Sequence, residues 1–217
     1  MPYDTQRDLA AVTDILTSPF ALIVHPSLPV RSAGELVTFA KSRPGQLLFS
    51  SAGVGTTNHL AGVQFNLAAG VDTVHVAYKG SAPALTDLAA GQVQIQFSTV
   101  LAVAPLVQVG RLRLLGIASA QRLQSMPQLP TVSESGVPGF ESGVWFGLFT
   151  TGGVPREIVM RLHAETARAL ASPDVRQKLM VGGAQLGGGK PDEFAAFVRR
   201  EIIKWAQLVK AAGITPE

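Results

Sequence analysis

The 217-residue chain contains no cysteine, which excludes disulfide bonds, thiolate metal ligands and thiol catalysis and leaves its redox compartment open. Charged residues make up only 15% of the sequence and hydrophobic residues 47%, a balance typical of globular proteins rather than disordered ones. Long apolar runs are also missing: the longest, residues 18–26 and 100–109, fall well short of the roughly 20 residues that cross a bilayer. The composition therefore predicts a globular chain that can bury a substantial core.

The positive charge is small and has no pattern that favours nucleic acid. The net charge is +3, and the lysines and arginines are scattered without a basic run or an alternation with aromatic residues. A modest positive excess can still help to attract a small anionic ligand.

Several cofactor and catalytic motifs are absent or incomplete. Gly53-Val54-Gly55 begins like a dinucleotide fingerprint, but Asn58 occupies the position of the third glycine and no acidic residue ends the next predicted strand. There is no Gly-x-Ser-x-Gly elbow, and Gly189-Lys190 is not followed by serine or threonine. The histidines are dispersed without metal-ligand spacing. We therefore expect no cofactor, no metal site, and no nucleophile–base or carboxylate pair for catalysis.

Strand-like and helix-like segments alternate regularly through the first two thirds of the chain. Strands are predicted at residues 20–24, 47–51, 73–78, 93–97 and 112–118. Helices are predicted from a capping box at residues 32–35 and at residues 57–69, 81–90 and 101–109, most of them ended by glycine. This spacing predicts a parallel sheet with right-handed crossovers, followed by an irregular connection over residues 121–143.

The C-terminal third is predicted to hold one further strand, residues 145–150, and two amphipathic helices. The helix at residues 155–172 is expected to bury Ile158, Val159, Leu162, Thr166 and Leu170. The helix at residues 192–212 repeats apolar residues at helical spacing, namely Phe194, Phe197, Val198, Ile202, Trp205, Leu208 and Val209, and we interpret this stripe as core packing.

Two segments carry the strongest functional signal. Residues 50–60 and 78–85 each follow a predicted strand and open a helix with small residues and hydroxyls. A helix start leaves backbone N–H groups unpaired and carries a partial positive charge, so it can hold a carboxylate or phosphate without a dedicated cation. Because neighbouring parallel strands end at one edge of a sheet, both starts should face one anion-binding crevice.

Individual side chains in these segments remain open to more than one interpretation. His59 lies in the first turn of its helix, where it can hold the loop by a hydrogen bond, contact a ligand, or simply pack. Lys79 can be a solvated lysine at a strand end or a ligand contact. The hydroxyls of Thr56 and Thr57 can cap the helix or donate to a ligand.

The order of the motifs makes a family recognisable. Residues 51–62, SAGVGTTNHLAG, resemble the S-x-G-x-G-T-x-x-H-L segment of the Bug family, the extracytoplasmic receptors of tripartite tricarboxylate transporters. Residues 74–88, VHVAYKGSAPALTDL, resemble that family's V-H-V-P-Y-K-G-x-x-P-A-L-x-D-L. Further matches follow in order at residues 129–136, 145–148 and 191–194, so the resemblance extends over the whole chain.

The resemblance implies a type II-like periplasmic-binding-protein fold of the α/β class, with two lobes, crossing strands and a ligand cleft. It implies capture of a small carboxylate, such as a di- or tricarboxylate, an amino acid or an aromatic acid, for the transporter's membrane subunits in the periplasm. One wall of the site would consist of Ser51, Gly53, Gly55, Thr56 and Thr57, with His59 beside it in one of the roles described above. The other would consist of Tyr78, Lys79, Gly80, Ser81 and Ala82.

Two departures from the family pattern change these expectations. Residues 1–4 align well inside family members, so we expect an incomplete first lobe made of residues 1–18 and 141–217 beside a complete second lobe at residues 19–140. A polar N-terminus without a signal-peptide hydrophobic region fits this expectation. In addition, Ser98 stands where the family usually has an aspartate after the phenylalanine, which disfavours an amino-acid ligand if that aspartate holds the amine.

Carboxylate capture without catalysis is thus the function that the sequence favours. A sensor or partner-binding module on the same fold is the main alternative, and a truncated remnant unable to close on a ligand is another. Uncovered apolar surface on the incomplete lobe also predicts self-association or a partner chain.

Overall fold

A computed structural model describes residues 4–214 of the chain, and contacts between residues divide it into two compact units. Within the described residues, the first unit contains residues 4–18 and 145–211, and the second contains residues 19–144 and 212–214. Residues 1–3 and 215–217, which the predicted lobe remnant includes, lie outside the described residues. The predicted assignment of these parts to an incomplete and a complete lobe stays a prediction.

Eight α-helices and seven strands are found between residues 4 and 214. The strands are β1 (Leu9–Val24), β2 (Leu48–Ser51), β3 (Val74–Ala77), β4 (Ile95–Thr99), β5 (Arg113–Ile117), β6 (Gly143–Thr151) and β7 (Gln185–Leu186). The helices are α1 (Thr5–Asp8), α2 (Ala33–Lys41), α3 (Thr57–Ala69), α4 (Ser81–Ala89), α5 (Val100–Gln108), α6 (Arg156–Ala171), α7 (Pro173–Leu179) and α8 (Pro191–Ala211). A short 3₁₀ helix covers Val181–Gly183.

In the second unit the strands form a sheet in the order β3-β2-β4-β1-β5. β2 runs parallel to β3 and β4, as predicted, but β1 is antiparallel to both β4 and β5. The prediction of an all-parallel sheet is therefore wrong at β1. The spacing of strands and helices does not predict the direction of β1. This strand comes earlier in the chain and lies in the sheet between β4 and β5, the two strands that α5 connects.

Helices cover both faces of this sheet. α3 lies so close to β2 that a side chain at Gly62 would collide with the ring of Phe49. On that face Phe65, Phe97 and Phe140 form an aromatic cluster with ring centroids 5.5–5.8 Å apart. α4 and α5 cover the opposite face, where Leu88 and Val103 are fully buried. Burial of each such side chain stabilises the fold by roughly 1.5–3 kcal/mol.

The segment between β5 and β6 is irregular, which confirms the prediction from its proline, serine and glycine content. It contains turns and a single isolated bridge, between Ile117 and Thr131. Glu134 stabilises it by accepting hydrogen bonds from the Thr131 N–H and the Arg122 side chain, both at 2.8 Å.

The first unit is built around one half of β1, which pairs with β6 and with β7. Phe194 of α8 is buried against Trp145 and Phe149 of β6 at ring-centroid distances of 5.8 and 5.1 Å. The side chain of Asp14 accepts a 2.8 Å hydrogen bond from the Gly189 N–H and so fixes the turn before α8. The sequence predicted β6, α6 and α8, but not α1, α7, β7 or the N-terminal half of β1.

The prediction for the buried face of α6 is wrong at two positions. Val159 and Leu170 are buried, and Thr166 is half-buried, but Ile158 and Leu162 are 47% and 38% exposed. α8 contacts α6 within the first unit but leaves Ile158 and Leu162 exposed, so the apolar stripe is wider than the surface that covers it. On α8, Phe194 is buried in the core as predicted, whereas Phe197 and Trp205 of the same apolar stripe are only half-buried.

A pair of buried polar side chains marks a weak point of the second unit's core. Ser50 on β2 and Gln96 on β4 face each other in register, both are 0% exposed, and the Ser50 hydroxyl and both Gln96 amide atoms have no hydrogen-bond partner among residues 4–214. Buried polar atoms without partners cost roughly 1–3 kcal/mol each.

We therefore expect Gln96→Met, which keeps the volume and removes the amide, to raise the free energy of unfolding by roughly 1–3 kcal/mol. Urea denaturation followed by circular dichroism measures it. The matched control is Gln94→Met, which should destabilise the protein because Gln94 Oε1 accepts a 3.0 Å hydrogen bond from the Leu48 N–H. A lower stability for Gln96→Met would contradict the expectation.

Among the described residues, no helix is both long and apolar enough to span a membrane.

Candidate anion-binding site

Three helices of the second unit begin at the carboxyl ends of three neighbouring parallel strands. β2 leads to α3, β3 to α4 and β4 to α5, and the sheet order β3-β2-β4 puts these ends side by side at one edge. The residues before the helices, Thr56, Gly80 and Thr99, make no side-chain capping hydrogen bond. The starting N–H groups of all three helices are therefore left without a side-chain acceptor and face the same edge.

α2 shows that this chain caps a helix where no ligand is expected. The hydroxyl of Ser32 accepts a 3.1 Å hydrogen bond from the Glu35 N–H at its start. The Glu35 carboxylate reaches back to the Arg31 N–H at 2.7 Å, close to the capping box predicted from the sequence. The starts of α6 and α7 in the first unit also lack a side-chain cap, so what distinguishes the starts of α3, α4 and α5 is their common position at the carboxyl ends of neighbouring strands.

Residues 52–56 form the loop between β2 and α3, the glycine loop. Gly53 and Gly55 have φ values of +141° and +75°, a backbone region that residues with a side chain rarely adopt. Ser51 fixes one end of the loop, because its hydroxyl accepts from the Gly53 N–H at 3.1 Å and donates to the Gly53 carbonyl at 3.0 Å. The Thr56 hydroxyl donates to the same carbonyl at 2.6 Å.

His59 fixes the other end of the glycine loop. It is only 6% exposed, and its Nδ1 accepts a 3.1 Å hydrogen bond from the Gly55 N–H. The ring therefore holds the loop by a hydrogen bond, which is one of the three roles that the sequence left open for His59. Burial lowers the pKa of His59 and favours the neutral ring, whose unprotonated Nδ1 this hydrogen bond requires.

His75 on β3 belongs to the same arrangement and was not predicted from the sequence. Its Nε2 lies 2.6 Å from the Ser51 hydroxyl, and its ring stacks on His59 with centroids 3.9 Å apart. Phe49 also stacks on His75, at a centroid distance of 4.9 Å. Burial and the neighbouring His59 lower the pKa of His75 to about 4. Its role depends on strand register, since His75 pairs with Phe49, two residues before Ser51, and no local sequence pattern shows this pairing.

The contact between Ser51 and His75 corrects the expectation that the chain has no nucleophile–base pair. Ser51 is nevertheless 0% exposed, and its hydroxyl is held by both the N–H and the carbonyl of Gly53. His75 also has no carboxylate hydrogen-bond partner within residues 4–214 to orient it. The pair therefore serves to hold the loop and is closed to a substrate.

The second predicted wall is joined to the glycine loop through the backbone. The Tyr78 N–H donates to the Ser51 carbonyl and the Gly80 N–H to the Ala52 carbonyl, both at 3.0 Å. Gly80 has a φ of +122°, so the chain turns sharply there into α4. The Tyr78 hydroxyl donates to Asp87 at 2.8 Å, and burial together with this carboxylate raises the pKa of Tyr78 to about 12.

Exposure separates the remaining site residues. Gly55, Thr57, Lys79, Ser81 and Ala82 are exposed, so their backbone and side-chain groups are accessible. Ser98 is only 7% exposed and lies two residues before the start of α5. The structure thus brings the predicted residues from all three strand ends to one edge, where the accessible donors are mainly backbone N–H groups and hydroxyls. Among the described residues, no cluster of side chains is arranged to hold a metal ion.

The chain matches the family model for the tripartite tricarboxylate transporter family receptor over residues 1–214. It is 38% identical over 96% of its length to the UPF0065 protein in the tcbD-tcbE intergenic region of Pseudomonas sp. (strain P51), and 32% identical over 98% to the protein BugT of Bordetella pertussis (strain Tohama I). It spans 62% and 65% of the lengths of these two relatives.

Solved structures show the same similarity. The structure of R. palustris Rpa4515 with adipate aligns with the whole of this chain, and the alignment covers 73% of that protein's chain, at a TM-score of 0.91 and 39% identity. The structure of MatC from Rhodopseudomonas palustris with bound malate aligns with 96% of this chain, and the alignment covers 72% of the MatC chain, at a TM-score of 0.86 and 30% identity. These matches confirm the predicted α/β fold of the periplasmic-binding-protein type, and the chain belongs to the tripartite tricarboxylate transporter receptor family.

Proposed function

We propose that this chain is a periplasmic solute-binding receptor that captures a small carboxylate for a tripartite tricarboxylate transporter. The observation that carries the proposal is the set of three uncapped helix starts, those of α3, α4 and α5, at one edge of the sheet. Their N–H groups and helix dipoles favour an anion, and a carboxylate accepts several such hydrogen bonds at once.

The chemistry of the edge favours a carboxylate held by neutral donors rather than by a cation. Lys79 is exposed and makes no ion pair with any described residue, which is the behaviour of a solvated lysine. Thr57 and Ser81, the first residues of α3 and α4, each offer an accessible hydroxyl beside a free helix start. The solved relatives that carry adipate and malate support the same ligand class for this chain.

The hydrogen bonds and exposure at this edge support separate roles for the residues of the predicted walls. Ser51, Gly53, Thr56 and His59 hold the glycine loop, and Gly55 and Thr57 present it to the ligand. Tyr78 and Gly80 fix the second wall, from which Lys79, Ser81 and Ala82 face solvent. Ser98 adds a hydroxyl from the third strand end, and its lack of charge disfavours a ligand with an amine. Capture needs no bond to be broken, so we assign no enzymatic step.

A dicarboxylate is expected to raise the melting temperature of the protein. Preferential binding to the folded state at about 100 times the dissociation constant contributes roughly 2.7 kcal/mol, which corresponds to roughly 5–10 °C for a chain of this size. A thermal-shift panel with adipate, malate, glucose, a nucleotide and divalent cations measures this. Stabilisation by sugars, nucleotides or metals with none by the carboxylates would contradict the proposal.

We also propose that the first unit contacts a second copy of the chain. Its helices leave several large apolar side chains in water, among them Ile158 and Leu162 on α6 and Ile203 on α8, which is 58% exposed. Single exposed apolar residues are ordinary, but a pair at positions i and i+4 forms a stripe along one helix face. Such a stripe can pair with its own copy across a twofold axis, which closes the assembly.

A further inference from the structure

We propose that His59 is a positioning residue that keeps the glycine loop in its ligand-binding form only while its ring is neutral, so that acid releases the carboxylate. The inference rests on the proposed function, because it assigns regulation to the same site. It begins from one contact: the Gly55 N–H donates to His59 Nδ1 at 3.1 Å.

A proton on His59 Nδ1 is incompatible with this contact. A neutral imidazole has one acceptor nitrogen, whereas an imidazolium has two donors. Protonation would put an N–H against the Gly55 N–H and break the only hydrogen bond that holds Gly55 in the described structure. Gly55 sits at φ +75°, and a Cβ built on it would meet nothing within 4 Å, so this side of the loop is open.

The surroundings of His59 keep its ring neutral at ordinary pH. The ring is 6% exposed and stacks on His75, 3.9 Å away, so a positive charge on either ring loses water and repels a charge on the other. The elements packed around the pair, β2, β3 and α3, contain no Asp, Glu, Lys or Arg. The nearest charged residues along the chain, Asp72 and Lys79, flank β3 and do not contribute to the pKa shift of either histidine.

The direction of the pH effect follows from these shifts. The pKa of His75 falls from 6.5 to about 4 in the folded protein, and the pKa of His59 is also lowered. The unfolded chain then binds more protons than the folded one between pH 6.5 and about 4. The free energy of unfolding is therefore highest above pH 6.5 and decreases as the pH falls through this window, whereas the loop is released only when the folded protein protonates His59, below the ordinary pKa of histidine.

His75 completes the arrangement from the other side. Its Nε2 lies 2.6 Å from the Ser51 hydroxyl, which holds both polar groups of the Gly53 backbone. The two stacked rings thus hold the two glycines of the loop. A neutral ring at each position fits these contacts, and a proton on Nδ1 of His59 disturbs the Gly55 end because Nδ1 is the acceptor there.

Two replacements of His59 separate hydrogen bonding from packing. His59→Phe keeps a flat buried ring without an acceptor and should weaken adipate and malate binding roughly tenfold or more at pH 7.5. His59→Asn offers an amide oxygen to the Gly55 N–H and does not titrate, so it should restore much of the affinity. Calorimetry between pH 7.5 and 4.5 should show that the wild type loses affinity for adipate and malate more steeply than His59→Asn does. The smaller loss in His59→Asn measures the effect of protonation of the ligand itself.

A second measurement needs no ligand. In the free protein, nitrogen-15 NMR should show an unprotonated His59 Nδ1 at pH 7.5, and the Gly55 amide signal should move with the same midpoint as His59. Equal pH profiles for the wild type and His59→Asn, or a Gly55 signal that ignores the titration of His59, would overturn the inference. If no carboxylate binds at any pH, the proposed function fails, and the Gly55 signal alone decides the role of His59.

Discussion

Valine in place of Gly55 is expected to weaken carboxylate binding roughly 10- to 100-fold, by far more than the loss of any charged side chain at the site. Gly55 has a φ of +75°, where a β-branched residue is strained by roughly 1–3 kcal/mol. A Cβ there would meet nothing within 4 Å, so the cost arises in the backbone and not from a collision. The loop would relieve the strain by leaving the conformation that presents its N–H groups, and each 1.4 kcal/mol is about a tenfold change in affinity.

The same helix provides the control for this variant. Gly70 ends α3 at a φ of +61°, and a Cβ added there would also meet nothing within 4 Å, but Gly70 lies at the opposite end of the helix from the site. Gly70→Val should lower the melting temperature about as much as Gly55→Val while leaving adipate and malate binding unchanged. Calorimetric titration of both variants, with melting curves, separates lost binding from lost stability. Equal affinities for the two variants would show that the glycine loop does not hold the ligand.

Lys79→Ala is the comparison that tests how the charge of the ligand is held. Because Lys79 is exposed and has no ion-pair partner among the described residues, its removal should change the affinity only a few-fold and mainly reduce the dependence on salt. A complete loss of binding in Lys79→Ala, with Gly55→Val harmless, would reverse the roles of the backbone and the lysine.

Local sequence signals were enough to predict most elements of the second unit. α3 begins and ends where its glycines and hydroxyls indicated, and Gly70 adopts the left-handed conformation of a helix C-terminus. The direction of β1 was not predictable in this way, since strand direction depends on partners that are distant in the sequence. The N-terminal half of β1 was missed because its mixed residues, LAAVTDILTSP, neither alternate nor form a continuous apolar run.

The candidate site was predictable only as far as the backbone determines it. Small residues and hydroxyls at two strand–helix junctions indicated two helix starts, and the structure adds the start of α5 beside them. The hydrogen bond from Gly55 to His59 was one of several possibilities, because a buried histidine can pack, bond or contact a ligand. His75 was not found, since its role comes from cross-strand register with Phe49 and from stacking, which no local pattern reports.

The exposed apolar side chains of the first unit should make the protein self-associate at tens of micromolar. Ile158 and Leu162 lie one turn apart on α6 at 47% and 38% exposure, and Phe146 on β6 is 54% exposed. Each buried CH₂ group contributes roughly 0.8 kcal/mol, so pairing of such side chains across an interface favours association. Light scattering coupled to gel filtration should give a molar mass above that of one chain, rising with concentration.

Charges placed on this stripe should restore the monomer. Ile158→Lys combined with Leu162→Lys would put two like charges at each side of the contact, where they lose hydration and repel their copies. The matched control is Leu67→Lys combined with Val109→Lys, two positions of the second unit that are 51% and 70% exposed. The control should associate as the wild type does, because the proposed contact lies in the first unit. A wild-type protein that is monomeric at these concentrations, or a control that dissociates as fully as the α6 variant, would rule out the contact.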